Sequence, residues 1–143
     1  MPMSGKEMKK LYEQIELMPG FLDFFAKIKP KYKAAVATSS NIDLFNILDK
    51  KFSITQLFEN HVYFLKDVNN VSKPEPDIFL YAAKMLATAP SESLVIEDAP
   101  LGIEAAKKAG MRSVGLTSSY PRETLAQATQ IVDKFEEINL EQF

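Results

Sequence analysis

The sequence predicts a three-layer α/β fold in which helices cover both faces of a parallel sheet. Short, continuous apolar runs alternate along the chain with stretches whose apolar residues recur at helical spacing. Continuous apolar runs are typical of strands that are buried on both faces, as strands of a parallel sheet are. The 143 residues, of which 46% are hydrophobic and 25% charged, suit one globular domain with a single core.

The first third of the chain contains helices on either side of one strand. Residues 6–15 carry apolar side chains at helical spacing, and the segment 18–20 interrupts that pattern. A second helix begins at Phe21 and ends at Pro30, which cannot continue it. The apolar run 34–37 predicts a buried strand, and a third helix follows it.

The rest of the chain continues the alternation of strands and helices. The predicted strands span residues 62–65, 94–96, 113–116 and 130–132, and a polar loop spans residues 67–72. One helix begins at Pro76. The next has Ile103 and Ala106 on its inner face and ends at Gly110, a residue that readily adopts the left-handed conformation after a helix. No internal repeat or long linker interrupts this order.

Charge and composition exclude several classes of function. The net charge of −2 provides no field that would attract nucleic acid or an anionic membrane. The absence of cysteine excludes disulfides, thiolate catalysis and cysteine-ligated metals, and the single histidine excludes a multi-histidine metal site. No run of about 18 apolar residues predicts a membrane span, and the first residues do not resemble a signal peptide. We therefore expect a cytoplasmic protein.

Three polar groups come at or near the ends of predicted strands. Thr38 and Ser39 follow the first strand, Lys73 lies before the helix that begins at Pro76, and Glu97 and Asp98 follow the run 94–96. Ligands of open parallel sheets gather at the carboxyl ends of the strands. Hydroxyl and ammonium groups hold phosphate oxygens, and adjacent carboxylates suit Mg²⁺. Together the groups predict a magnesium-dependent phosphoryl site.

Each group also has a purely structural interpretation. The run 38–41 is rich in residues that cap helices, and Lys73 lies in a loop where lysines are usually solvated. Glu97 and Asp98 come just before a helix, where acidic residues suit the helix dipole. The structural interpretations lose weight because all three groups occur in order, each after its own strand–helix step.

These segments resemble motifs of the haloacid dehalogenase superfamily, in its beta-phosphoglucomutase-like branch of phosphatases and phosphomutases. The second motif of that family is similar to the run AVATSS at residues 35–40. Its third motif is similar to SKPEPDIF at residues 72–79, and its fourth to SLVIEDAPLGIEAA at residues 93–106. The resemblance extends from about residue 6 to the end of the chain and implies a Rossmann-like core.

The resemblance implies a role for each site residue. Thr38 and Lys73 would be catalytic: Thr38 would bind the transferring phosphoryl group, helped by the backbone of Ser39, and Lys73 would offset charge on the nucleophile and on the phosphate. Glu97 and Asp98 would hold Mg²⁺, directly or through water. The implied reaction is magnesium-dependent phosphoryl transfer on a small phosphorylated metabolite, by a phosphatase or by a phosphomutase.

The resemblance also implies a division of the chain and a missing part. Residues 1–18 would be the remnant of a cap-domain helix, and residues 19–143 an incomplete core. The family begins with an Asp-x-Asp motif that supplies the nucleophile and the general acid and base. No two aspartates of this chain are separated by a single residue; they stand at positions 23, 43, 49, 67, 77, 98 and 133.

Loss of that motif has a chemical and a structural consequence. We expect the chain to be inactive alone. The alternatives are a non-catalytic remnant that binds phosphate, metal or a partner protein, and one half of a complementing two-chain enzyme. The family's first strand lies between the second-motif and fourth-motif strands, so its loss leaves a gap in the sheet. The two flanking strands would pair directly, a second copy would lend a strand in a homo-oligomer, or a missing N-terminal half would bind.

Two further segments carry polar side chains near strand ends. The run 117–119 follows the last clear strand and either lines the rim of the site or forms an ordinary loop. His61 stands at the start of a strand and has no obvious acidic partner in the sequence, so we expect it to be structural.

Overall fold

The computed structural model describes residues 4–14 and 16–143. The helices are α1 (Gly5–Gln14), α2 (Phe21–Ile28), α3 (Ile42–Phe52), α4 (Ile54–Leu57), α5 (Asp77–Met85) and α6 (Pro100–Lys108). The strands are β1 (Val36–Thr38), β2 (Val62–Phe64), β3 (Leu94–Glu97), β4 (Arg112–Leu116) and β5 (Gln130–Val132). Short 3₁₀ helices occupy Leu65–Val68, Pro90–Glu92, Arg122–Leu125, Phe135–Glu137 and Leu140–Gln142. Residues 1–3 and 15 of the predicted cap remnant lie outside the described residues.

The predicted α/β fold with parallel strands is confirmed, but the strands form two sheets. Among the described residues β1 pairs only with β2, and β3, β4 and β5 form a second sheet in that order, with every pair parallel. Direct pairing of β1 with β3, one of the three ways in which the gap could close, is wrong for the described residues. α5 packs on β1 and β2, and α6 packs on β3 and β4.

Two apolar clusters lie on opposite faces of the β3–β4–β5 sheet. The first joins α5 and α6 to β3, and Ala37 of β1 packs against it; its buried members are Ile78, Phe79, Ala83, Val95, Ala105, Ala106, Ala109 and Met111. The second has Val114, Leu116, Val132 and Phe135 at its centre, with Phe21 and Phe24 of α2 packed against them. Strand residues contribute alternately to the two clusters, as the pleat of a buried strand requires.

Most predicted elements are observed, with small shifts at their ends. The first strand begins at Val36, because the first bond of its ladder is donated by the Val36 amide to the His61 carbonyl, at 2.9 Å. The loop predicted from residue 67 is partly a 3₁₀ helix, which begins where the Asp67 carboxylate accepts a hydrogen bond from the Phe64 amide at 2.9 Å. Gly110 has φ +75°, the predicted left-handed stop after α6.

No helix in the described part of the chain is long and apolar enough to span a membrane.

Candidate phosphate and metal site

Lys73 and Glu97 form an ion pair at the carboxyl end of β3. Lys73 lies in the loop before α5, where a cis peptide bond joins it to Pro74, and Glu97 is the last residue of β3. The Lys73 Nζ lies 3.1 Å from the Glu97 Oε2, and the side chains are only 15% and 13% exposed. The ammonium also lies 4.9 Å from the centre of the Phe79 ring. The structure therefore brings together two of the three polar groups identified in the sequence.

The Glu97 carboxylate turns inward and is held on several sides. Its Oε1 accepts long hydrogen bonds from the amides of Asp98 and Ala99, each 3.3 Å. Its stem lies against the backbone of Gly102 in the first turn of α6, where a Cβ atom would overlap the carboxylate carbon and Cγ of Glu97. Gly102 therefore leaves the space that this carboxylate occupies.

Burial controls the ionisation of Glu97. Desolvation raises the pKa of its carboxyl above the ordinary value, and the ammonium of Lys73 only partly opposes that effect. The neighbouring Asp98 carboxylate raises the pKa of Glu97 further. Two carboxylates side by side thus repel each other, and a divalent cation between them would relieve that repulsion.

Asp98 is the more accessible carboxylate of the pair. It is partly exposed, and its Oδ2 accepts a hydrogen bond of 2.8 Å from the Ser119 hydroxyl, which follows β4. Ser119 therefore lines the rim of the site, one of the two interpretations of the run 117–119. The Thr117 hydroxyl instead donates to the Asp133 carboxylate at 2.6 Å, and the Arg122 guanidinium donates to the same oxygen at 3.0 Å. Thr117 therefore belongs to an ordinary loop.

Thr38 is the last residue of β1, and Ser39 follows it. The Thr38 Oγ1 accepts a hydrogen bond of 3.0 Å from the Ser40 amide, while Ser39 is exposed. The capping role suggested for this run falls to Asn41, whose side chain accepts from the Leu44 amide at 2.9 Å. No hydrogen bond joins Thr38 to Lys73 or to the two acids in the part of the chain that the structure describes.

The donors at the end of β3 have the chemistry that Mg²⁺ requires. No group of three or more histidine, cysteine, aspartate or glutamate side chains converges among residues 4–14 and 16–143. Mg²⁺, however, is commonly held by one or two carboxylates and completes its shell with water and phosphate oxygens. Asp98 offers an accessible carboxylate, and Glu97 a second one beside it. The hard oxygen donors of this pair therefore fit the ion.

His61 lies away from these groups. It precedes β2, at the opposite strand end from Thr38 and Glu97, and its Nδ1 lies 2.7 Å from the Tyr63 hydroxyl. This contact agrees with the structural role expected from the sequence.

Sequence reasoning missed Gly102 and Phe79 as parts of the site. Gly102 carries no side chain to signal a role, and only the packing of Glu97 against its backbone shows one. The sequence placed Phe79 on the inner face of a helix, but its position beside the Lys73 ammonium depends on how α5 meets the preceding loop.

Comparison with known proteins indicates a family. Residues 3–116 match the family model described as haloacid dehalogenase-like hydrolase. A probable pseudouridine-5'-phosphatase of Drosophila melanogaster is 32% identical over 157 residues, which cover 100% of this chain and 68% of the relative. Protein CbbY of Cereibacter sphaeroides is 31% identical over 87% of this chain and 56% of its own length.

A solved structure agrees with these matches. The putative beta-phosphoglucomutase from Thermotoga maritima superposes with a TM-score of 0.80 and 30% identity, over 92% of this chain and 62% of the other. This chain thus spans between 56% and 68% of the length of the relatives described.

Proposed function

The chain belongs to the haloacid dehalogenase-like hydrolase family, in its phosphatase and phosphomutase branch, and on that premise we propose that it carries the phosphate- and magnesium-holding half of a phosphoryl-transfer site. The observation that carries the proposal is the buried Lys73–Glu97 pair beside the accessible Asp98 at one strand end. An ammonium and a carboxylate pair are the groups that hold a phosphate dianion together with its counterion.

Each residue has a distinct task in this proposal. Asp98 and Glu97 hold Mg²⁺, which when bound neutralises charge on the phosphoryl oxygens. The Lys73 ammonium offsets negative charge on the phosphate, and Phe79 and Glu97 keep that ammonium in position. Thr38, with the backbone of Ser39, binds the far side of the phosphoryl group; this role stays a prediction.

The attacking group is absent from these 143 residues. The sequence contains no Asp-x-Asp pair, so no residue stands for the family's nucleophile and its general acid and base. We therefore propose that the chain by itself binds phosphate and metal without turnover, because a phosphate ester that is only held does not react. The substrate class is a small phosphate ester, and the cap remnant 1–18, the core 19–143 and the cytoplasmic setting stay predictions.

A non-catalytic role is the second candidate. The missing Asp-x-Asp pair favours it, since a chain that binds phosphate and Mg²⁺ could serve as a binding module alone. Adding back an Asp-bearing segment discriminates the two, because only the half-enzyme gains metal-dependent turnover.

Calorimetry tests the proposed site. Mg²⁺ titrated into the protein with inorganic phosphate should bind, and Asp98→Asn should weaken that binding roughly tenfold or more. Asp133→Asn is the matched control, because its carboxylate also accepts a hydroxyl hydrogen bond and lies outside the site. Equal binding in all three proteins, or equal loss in both variants, would contradict the proposal.

Turnover is tested separately with para-nitrophenyl phosphate and Mg²⁺. The purified chain should release no nitrophenol above background. Release that depends on Mg²⁺ and disappears in Asp98→Asn would show that the chain contains its own nucleophile.

A further inference from the structure

The loop after β4 contacts the acidic pair at the end of β3. The two strands are parallel, and Glu97 at the end of β3 stands opposite Gly115 of β4, so the strands end side by side. Ser119 lies three residues after the end of β4, and its hydroxyl donates to the Asp98 Oδ2 at 2.8 Å. A residue of one loop thereby holds an acid of the neighbouring loop.

The backbone of β5 holds the loop after β4 on both sides of Ser119. The Thr117 amide donates to the Val132 carbonyl at 3.1 Å. The Arg122 guanidinium donates to the Ile131 carbonyl at 3.2 Å. Because the loop is tied to the sheet before and after Ser119, the scaffold presents the serine hydroxyl from a defined position.

The Asp98 carboxylate needs such support to keep one orientation. Asp98 follows the last residue of β3, its side chain is partly exposed, and the adjacent Glu97 carboxylate repels it. Ser119 donates the only hydrogen bond that this carboxylate accepts from the described residues, and the bond occupies one of its two oxygens. The bond therefore selects an orientation of the carboxylate in advance and leaves the other oxygen for a cation.

We propose that Ser119 is a positioning residue that orients the Asp98 carboxylate for Mg²⁺. The inference rests on the proposed function, in which Asp98 holds that ion. Hydrogen-bond partners orient the carboxylates that bind a metal, and their loss typically lowers metal affinity by about 10- to 100-fold. In this role Ser119 contacts neither the ion nor the phosphoryl group, and it acts through Asp98 alone.

A role of Ser119 in holding the fold together predicts a different result. Ser119 is exposed, so its bond to Asp98 competes with water and contributes little to folding. We therefore expect Ser119→Ala to leave the midpoint of urea unfolding of the metal-free chain unchanged. A lowered midpoint would contradict the positioning role, because it would show that the hydroxyl holds the loop instead.

Calorimetric titration with Mg²⁺ in the presence of inorganic phosphate measures the effect on ion binding. Ser119→Ala should weaken Mg²⁺ binding roughly tenfold, at the lower end of the usual range, because the hydrogen bond is exposed. Ser119→Thr should bind the ion as the unsubstituted chain does, since it keeps the hydroxyl. Ser118→Ala is the matched control, because Ser118 is exposed in the same loop and its hydroxyl bonds to none of the described residues.

A measurement without metal tests the positioning itself. Three-bond couplings between the Hα and Hβ protons of Asp98 report whether its side chain keeps a single χ1 rotamer. The unsubstituted chain, Ser119→Thr and Ser118→Ala should each give the couplings of one rotamer. Ser119→Ala should give values averaged over several rotamers.

Three further results would overturn the proposal. Unchanged Mg²⁺ affinity in Ser119→Ala, in an assay where the unsubstituted chain binds the ion, would refute the positioning role and leave the phosphate and metal site intact. A single Asp98 rotamer in Ser119→Ala, or an affinity that Ser119→Thr does not restore, would show that the hydroxyl does not act through Asp98. An unsubstituted chain that binds no Mg²⁺ would overturn the proposed function and this inference with it.

Discussion

Replacing Gly102 by alanine should reverse the usual effect of that substitution in a helix. Alanine is normally favoured over glycine inside a helix by about 0.5–1 kcal/mol. At Gly102, however, the new Cβ would overlap the carboxylate carbon and Cγ of Glu97. Because the overlap involves the stem of the side chain as well as its tip, Glu97 must adopt another rotamer, and its pair with Lys73 is lost.

The net effect follows from these opposing contributions. Overpacking a filled site costs about 1–3 kcal/mol, and disrupting a mostly buried ion pair adds to that cost. After subtraction of the helix preference, Gly102→Ala should lower the free energy of unfolding by about 1–3 kcal/mol. In a Glu97→Ala background the overlap is absent, so the same change should raise the free energy of unfolding by about 0.5 kcal/mol.

Urea unfolding followed by circular dichroism measures this double-mutant cycle. Glu97→Gln provides the matched control, because it keeps the shape of the side chain and removes its charge. Gly102→Ala should therefore stay destabilising in the Glu97→Gln background. A substitution that destabilises equally in the Glu97→Ala background would refute the claim that Gly102 makes room for this carboxylate.

Three other predictions concern charge, titration and core packing. Lys73→Met should lower the free energy of unfolding by about 1–3 kcal/mol in urea unfolding, since it leaves a buried glutamate without its cation; a loss below about 0.5 kcal/mol would contradict the pairing. The Thr117 hydroxyl, and secondarily an arginine, hold the pKa of Asp133 below its ordinary value. The Thr117–Asp133 hydrogen bond therefore stabilises the fold above the unfolded-state pKa of Asp133, and this stabilisation is lost as the pH falls through the folded-state pKa. Thr117→Val should raise the pKa of Asp133 in a carboxyl ¹³C NMR titration. An unchanged pKa would contradict this prediction. Ile78→Ala should lower the free energy of unfolding by about 2–5 kcal/mol, because the Ile78 side chain is fully buried. Leu80→Ala, at a residue of the same helix that is 39% exposed, should lower the free energy of unfolding much less. Equal losses in the two variants would contradict the assignment of Ile78 to the core.

Local patterns were sufficient to predict most of the elements. Apolar runs located β3 and β4, and the glycine at position 110 marked the end of α6. These features depend on neighbours in the chain, so periodicity and turn chemistry express them directly.

Pairing between distant strands required the structure. The sequence left open whether β1 and β3 pair directly, and the answer depends on how α5 and α6 seat on separate strand pairs. The inward rotation of Glu97 depends likewise on Gly102, a residue whose role lies in an absent side chain. Tertiary placement, rather than local preference, decides both features.

The position of Thr38 relative to the acidic pair tests the central claim most directly. The measurement is a titration of the ¹⁵N-labelled chain with inorganic phosphate in the presence of Mg²⁺, followed by amide chemical shifts. We expect the amides of Thr38, Ser39, Asp98 and Ser119 to shift together and to saturate at one phosphate concentration. Shifts confined to the β3 end, with Thr38 and Ser39 unmoved at saturation, would contradict a single phosphate and metal site.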